Sequence, residues 1–500
     1  MMYTAVFDLG TTAVKGVLVS DAKEAVFRYT QPIRATAAPA QNGADPRIQY
    51  MEQDPQDWYD AFCAVSRRIF QGGFEPGSVR GIVMSGQMQD LIPVDHRGDP
   101  VRPAILYGDG RAGEAAARLV SLMGEEALRR RTGNVLDGSI PAAKLLWFKE
   151  REGENYARTA RILGSSKDFV ILKLCGRAAA DITAASTMGL MDIRTKRWDD
   201  EILKALDLAP ELLPELFSAG EEVGKVSPCG AEETGFRTGT PVYAGSGDAG
   251  ASTLASGIIR PGEYNVYLGT SGWIAAISGA IVSMPGVFNL AAVPPERYIN
   301  VVPFLNAGGI HAWVSDLWST GAGVYSHADT LLEQSEPGSG GLLFLPYLAG
   351  ERFPVMDPRI RGAYIGISHE TGPAQMTRAC LEGVAFSIRQ GLEAMAPGET
   401  PQKISLIGGG AKTLLWRQIL ADVLQSPVTV AEESSEYLPC IALAAAVFTA
   451  QGLEASYESY MASLKEGKVL HYEPGPPAAA LDAQYRRYLK IYPTVKGILE

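Results

Sequence analysis

An apolar run closes on Asp8 and Leu9, and the chain then turns at once through Gly10, Thr11 and Thr12. Such a turn offers phosphate oxygens its backbone N–H groups and two hydroxyls, because glycine lets the backbone approach closely. Asp8 would repel a bare triphosphate. It makes sense with Mg²⁺ between the two, since that hard cation takes carboxylate oxygens directly or through its waters. The same residue types also make an ordinary hairpin turn. A related string, Tyr267 to Gly272, brings Gly269, Thr270 and Ser271, and Leu406 to Lys412 adds a third glycine-rich strand end on which a flat base can lie. Together the three read as a nucleotide clasp, with no GxxxxGK[ST] loop anywhere in the chain.

Asp248 stands among small residues where a strand gives way to a short helix. A carboxylate so placed can reach into a cleft as the base for phosphoryl transfer to an alcohol, or it can be a helix N-cap. Gly245 to Gly250 fits GxGxxG in form, with Glu263 near the distance of a ribose-binding acid. The stretch between holds Gly257, Pro261 and Gly262, too broken for a crossover helix, which argues against dinucleotide binding. Lys15 lies within reach of the first loop and reads either as a phosphate contact or as an exposed strand lysine.

These residues need a scaffold, and 500 residues exceed one hydrophobic core. Strands are expected over 3–10, 15–21 and 25–33 in an antiparallel opening, followed by a helix capped by Asp54 with Pro55 in its first turn and a buried strand over 79–86. The second half repeats this grammar, giving an α/β chain of mixed sheets covered by helices. The domains are expected to be 1–245 and 246–455, with 456–500 a peripheral segment and the last helices packing back across the cut. The net charge of −11, without a basic block, argues against nucleic acid or an anionic membrane surface as partner. No window holds 18 uncharged apolar residues, and five widely spaced cysteines without CxxC fit a reducing cytoplasm. His96, His311, His327, His369 and His471 show no ligand spacing, so Mg²⁺ is expected to arrive with ATP.

The chain resembles the FGGY carbohydrate kinases from about residue 3 to 450, most closely the xylulokinases and related pentulose kinases. The first family signature reads SIPAAKLLWFKER, Ser139 to Arg151; the second reads GAYIGISHETGPAQMTRACLE, Gly362 to Glu382, with Cys380 where a small residue is usual. MEQDPQDW, ILYGDGRA, GSGDAGA, YLGTSG, LPYLAGER and GGGAKTLLWRQILADV follow the family order. The resemblance implies a two-domain actin-like ATPase (ribonuclease H-like) fold hinged around a cleft. Asp8, Gly10, Thr11 and Thr12 match its first phosphate loop, with Asp8 near Mg²⁺ through water. Gly269, Thr270 and Ser271 match the second loop, Gly409, Gly410 and Ala411 the adenosine motif, and Asp248 the general base. Gln87, Met88, Gln89, Tyr107, Asp109 and Arg111 match the sugar side.

Three positions there depart from xylulokinases: Gln89 replaces His, Gly108 replaces Asn, and Ala249 replaces Asn. Tyr107 also stands for Trp. The implied activity is transfer of the γ-phosphoryl group of MgATP to a small sugar, a ketopentose first, with ribulose, gluconate or a polyol as alternatives. A partner-moving actin-like ATPase and a silent sugar sensor are the rival classes. A homodimer is implied by the resemblance alone.

Overall fold

The computed structural model describes residues 1–33, 49–318, 324–431, 436–464 and 469–499. The first half is built on strands β1 (Tyr3–Leu9), β2 (Ala13–Ser20), β3 (Ala25–Pro32), β4 (Val79–Gly86), β5 (Glu222–Lys225), β6 (Pro241–Tyr243) and β7 (Ser246–Gly247). The second is built on β8 (Glu263–Leu268), β9 (Gly272–Ser278), β10 (Phe288–Ala291), β11 (Tyr298–Phe304), β12 (Lys403–Ile407), β13 (Val428–Ala431) and β14 (Val469–Tyr472).

One plan is used twice. In the first sheet β1, β2 and β3 form an antiparallel ladder, β4 lies parallel to the other edge of β1, and β6 then β5 follow. In the second, β8, β9 and β11 form the ladder, β12 lies parallel to β8, and β13 then β14 complete the order, with β10 added outside β11. Both are mixed sheets, as the alternating strand and helix grammar predicts.

The helices that cover them are α1 (Pro55–Gln71), α2 (Pro141–Arg151), α3 (Ser166–Cys175), α4 (Ile182–Ala185), α5 (Asp248–Ala255), α6 (Gly308–Trp318), α7 (Pro373–Met395), α8 (Leu414–Leu424), α9 (Leu438–Leu443), α10 (Ala445–Ala450) and α11 (Ala478–Tyr488). Helix α1 starts as expected: Asp54 accepts the N–H of Gln56 at 2.9 Å, Pro55 fills the first position, and Trp58, Phe62, Val65 and Ile69 form its buried stripe. With α3 it covers one face of the first sheet. The opposite face takes α5 and, from far down the chain, α9 and α10: Val6, Val17 and Val83 share a core with Cys440, Ile441 and Val447. A separate core of helices, including Leu119, Phe148 and Ile202, stands on the first half and carries α2.

Helices α6, α7 and α8 pack on the second sheet. The closing segment, expected at the periphery, supplies β14 and puts Leu481, Tyr485 and Tyr488 into the second core. All five cysteines are free, and Cys380 is buried beside the Tyr364 hydroxyl. Among the described residues no helix is long and apolar enough to cross a membrane.

Phe7 shows how tightly the first core supports the strand that carries Asp8. It is fully buried, with ring centroids 4.5 Å from Phe62 and 6.2 Å from Phe236. Phe7→Ala is expected to cost about 3–5 kcal/mol of stability, measured by urea unfolding.

Candidate active site

Strand register brings the first-half residues to one level. Asp8 pairs with Ser85 across β1 and β4, Ser246 pairs with Ser85 across β7 and β4, and Leu9 and Gly247 flank Gly86 in the next row. Three parallel strands therefore end together, and the residues that follow, Gly10 to Thr12, Gln87 to Gln89, and Asp248, emerge at their carboxyl ends. Open α/β sheets bind ligands at that edge.

The glycines of the GSGDAG string serve this convergence. Gly245 has φ +67°, and a Cβ there would lie 1.9 Å from the Met84 carbonyl oxygen. At Gly247 a Cβ would fall 2.3 Å from Met88 Sδ. Two glycines of the GxGxxG match are thus used to press β7 against β4 and its following loop.

The first loop is wired to the residues expected on the sugar side. The Thr11 hydroxyl donates to Gln87 Oε1, Gln87 Nε2 donates to Asp90 Oδ2 at 2.9 Å, and Gln53 Nε2 donates to the Thr11 carbonyl at 3.0 Å. Thr11, expected to give its hydroxyl to phosphate, thus has a protein acceptor, and exposed Thr12 is the freer hydroxyl of the pair. Gly10 closes the turn with its N–H on Ala13 O at 3.1 Å. Asp8 is half-buried; Ser85 Oγ donates to its Oδ1 at 2.8 Å, and Lys15 Nζ stands 3.7 Å from Oδ2 and 3.9 Å from Glu436. This oxygen donor fits a water-mediated Mg²⁺ contact. Among the described residues no cluster of three ligating side chains forms a metal cage.

On the second sheet Thr270 and Ser271 are exposed, and the Gly269 and Thr270 carbonyls accept the N–H groups of Gly308 and Gly309 at 2.7 and 2.9 Å, which seats the start of α6 on the loop. Gly409 to Lys412 form a single 3₁₀ turn after β12, with Gly410 and Ala411 buried. A Cβ on Gly409 would meet nothing within 4 Å, leaving an open surface beside the strand end that suits a flat base. The halves meet where Met88 and Ala184 share a buried cluster with Ala275, Ile277 and Leu290. Trp273 packs against that cluster and stacks on Tyr267 at 3.9 Å, nearly parallel. This aromatic pair flanks the second loop, and sequence reasoning passed over it although both rings were visible on either side of the glycine.

Asp109 and Arg111, expected to touch sugar, are turned to each other. Asp109 Oδ1 accepts Arg111 Nε at 2.8 Å and its backbone N–H at 3.0 Å, while Oδ2 accepts Arg111 Nη2 at 2.6 Å and the Met51 N–H at 2.6 Å. Arg111 also reaches Glu52 at 2.6 Å and lies over the rings of Tyr50 and Trp147. Both residues are buried, so this fork braces the pocket wall. Tyr107, 43% exposed, remains available to a ligand. Gln89 sits in the left-handed region at φ +65°, and its carbonyl, with that of Leu106, accepts the ammonium of fully buried Lys144, each at 2.8 Å. At Gly108 a Cβ would lie 3.0 Å from Met51 Sδ, so methionine fills the space that a side chain there would take.

Electrostatics separates Asp248 from its neighbours. Water reaches it from the cleft, but protein crowds the group; that crowding, then the carboxylates of Asp8 and Asp181, push its pKa up to about 7 against the N–H of Ala249. Burial likewise raises Asp90 and lowers Lys144, each opposed by the other's charge. Sequence reasoning missed Ser85, Asp90, Lys144, Lys167 and Asp181; only a lysine inside the apolar stretch PAAKLLW gave a local signal.

A duplicated fold with glycine-hydroxyl loops on both halves and two water-accessible carboxylates, Asp8 and Asp248, at the strand ends defines a phosphotransferase cleft. Residues 3–255 match the N-terminal domain, and residues 264–449 the C-terminal domain, of the FGGY family of carbohydrate kinases. The chain belongs to that family and is a carbohydrate kinase. It is 31% identical over 426 residues to a xylulose kinase of Escherichia coli, covering 84% of each chain, and 28% identical over 455 residues to a gluconokinase of Bacillus subtilis, covering 88% and 86%. The crystal structure of xylulose kinase from Rhodospirillum rubrum superposes with a TM-score of 0.88 at 27% identity, over 99% of each chain.

Two outcomes follow from this geometry. Carboxyl infrared difference spectra taken across pH are expected to show a group ionising near pH 7 that Asp248→Asn removes. Arg111→Met leaves buried Asp109 without its counter-ion, while Glu52 keeps Arg102, and is expected to cost about 3–5 kcal/mol in chemical denaturation; Arg111→Lys recovers only part, lacking the fork.

Proposed function

We propose that the protein transfers the γ-phosphoryl group of ATP, with Mg²⁺, to a hydroxyl of a ketopentose, D-xylulose first. The observation that carries the reading is the shared level of β1, β4 and β7, which sets Asp8 and Asp248 on one cleft floor beside Gln87 and Met88. Asp248 accepts the proton of the attacking hydroxyl as the new P–O bond forms and the bond from the γ-phosphorus to the bridging oxygen breaks, leaving ADP. Thr12, Thr270, Ser271 and the N–H groups of the two loops hold phosphate oxygens, with Lys15 as a further contact. Gly409, Gly410 and Ala411 carry the adenosine. When bound, Mg²⁺ offsets negative charge on the phosphates, and Asp8 holds it through water.

On the acceptor side Gln87 is held by Thr11 and Asp90, Met88 packs against Gly247, and Gln89 offers a half-buried amide. Asp109 and Arg111 act as the brace behind them. A neutral acceptor is favoured over gluconate by the state of the nearby cations: Arg111 is paired with Asp109 and Glu52, Lys144 is tied to two carbonyls, and Lys167 is paired with Asp168 and Asp181. The five free thiols support a reducing compartment, the cytoplasm.

Coupled ADP release across D-xylulose, D- and L-ribulose, L-xylulose, gluconate and glycerol tests the reading; strongest turnover on gluconate would overturn the neutral ketose. Asp248→Ala is expected to lower kcat by about 10²- to 10⁴-fold with ATP binding retained, and Asp8→Ala to weaken the dependence on Mg²⁺. Because a protonated Asp248 cannot act as base, kcat/KM is expected to hold above pH 7 and fall about tenfold per unit below it; a flat profile would remove Asp248 from the proton transfer.

A further inference from the structure

Beneath Asp248 lies a group of charges that phosphoryl transfer leaves unused. Lys167 and Asp168 have no exposure, and Asp181 has 1%. Lys167 Nζ stands 2.6 Å from Asp168 Oδ1 and 2.7 Å from Asp181 Oδ2. Ions in a protein interior cost several kcal/mol each before pairing and hydrogen bonds offset it. A lysine and two aspartates at such a depth therefore call for a geometric reason.

The second oxygen of Asp181 supplies one. Its Oδ1 accepts the N–H groups of Thr183 at 2.9 Å, Ala184 at 3.0 Å and Gly247 at 3.2 Å. The first two are the N-cap of α4, a duty that serine or asparagine performs as well and that needs no counter-ion. The third is of another kind. Gly247 is 66 residues away in sequence, and the residue after it is Asp248. Met88 Sδ blocks Gly247 on one side and Asp181 holds its N–H, so the peptide from which Asp248 springs is fixed at two points. Lys167 is ion-paired with Oδ2 at 2.7 Å, which leaves Oδ1 to both α4 and Gly247.

We infer that Asp181, oriented by Lys167, is a positioning residue for Asp248, tying the peptide of the base to the start of α4. The inference rests on Asp248 being the base. Small displacements of a reacting group are costly: about 1 Å of misplacement can lower the rate by about 10²-fold.

The test uses the full chain with MgATP and D-xylulose, hydrolysis of MgATP read in parallel, and kcat expressed per ATP-binding site. Asp181→Ser keeps a cap for α4 but is too short to reach Gly247; its kcat is expected to fall by about 10- to 10²-fold, with ATP affinity and acceptor KM unchanged. Asp181→Asn retains an oxygen at the Oδ1 position and is expected to keep more of the rate. Wild-type kcat in Asp181→Ser, or equal losses in the two variants, overturns the inference. Should Asp181→Ser not fold, Lys167→Met decides, with a lowered kcat at unchanged ATP affinity expected and an unchanged kcat overturning. Asp248→Ala separates the two levels. Turnover in that variant removes the base and the tether together, whereas its loss beside a fully active Asp181→Ser removes the tether alone.

Discussion

Carboxylates repel one another, and this chain gathers Asp8, Asp90, Asp181 and Asp248 at the ends of three strands. Two like charges 4 Å apart cost about 4 kcal/mol at the dielectric typical near a protein surface. The rest of the site is arranged to answer that repulsion. Asp181 is neutralised from below by Lys167, and Asp90 lies in the field of Lys144 with Gln87 on one oxygen. Asp8 has Ser85 and a looser lysine. Among the described residues Asp248 has no ion-pair partner, and crowding by protein, then the charges of Asp8 and Asp181, raises its proton affinity. The proposed base is thus singled out by what its neighbours have and it lacks.

The backbone makes the gathering possible. Parallel pairing of β4 with β1 and β7 puts three chain reversals side by side, and glycine at 245 and 247 lets the strands come within contact of Met84 and Met88. The second sheet repeats the order with different contents: beside its hydroxyl loop the first places carboxylates and amides, while beside its own the second places the start of a glycine-led helix and an open glycine turn. One topology thereby presents two chemically distinct edges to the same cleft.

The parts of this arrangement that are local in sequence were legible there. A strand, a glycine and two hydroxyl residues are contiguous, so both turns and the strand-to-helix step at Asp248 could be read directly, as could the cap and stripe of α1. Relations between distant segments were not. Lys167, Asp181 and Gly247 acquire a joint meaning only when α3, α4 and β7 are packed together, and nothing in any one of those segments marks it. Asp109 and Arg111, given to the sugar side by the resemblance, show the same limit: the fork that turns them to each other is a relation in space that the motif does not display. The closing segment misleads by composition, since its charged residues mask Leu481, Tyr485 and Tyr488 at helical spacing.

The packing of α9 and α10 against the first sheet bears on how the chain is made. Val6, Val17 and Val83 belong to the opening of the polypeptide, and the residues that finish covering them, Cys440 to Phe448, belong near its end. During synthesis the leading half therefore emerges with part of an apolar sheet face still bare, and it stays so while nearly all of the trailing half is assembled. Maturation of the first core is tied to arrival of the second, so the two halves are completed by one late event.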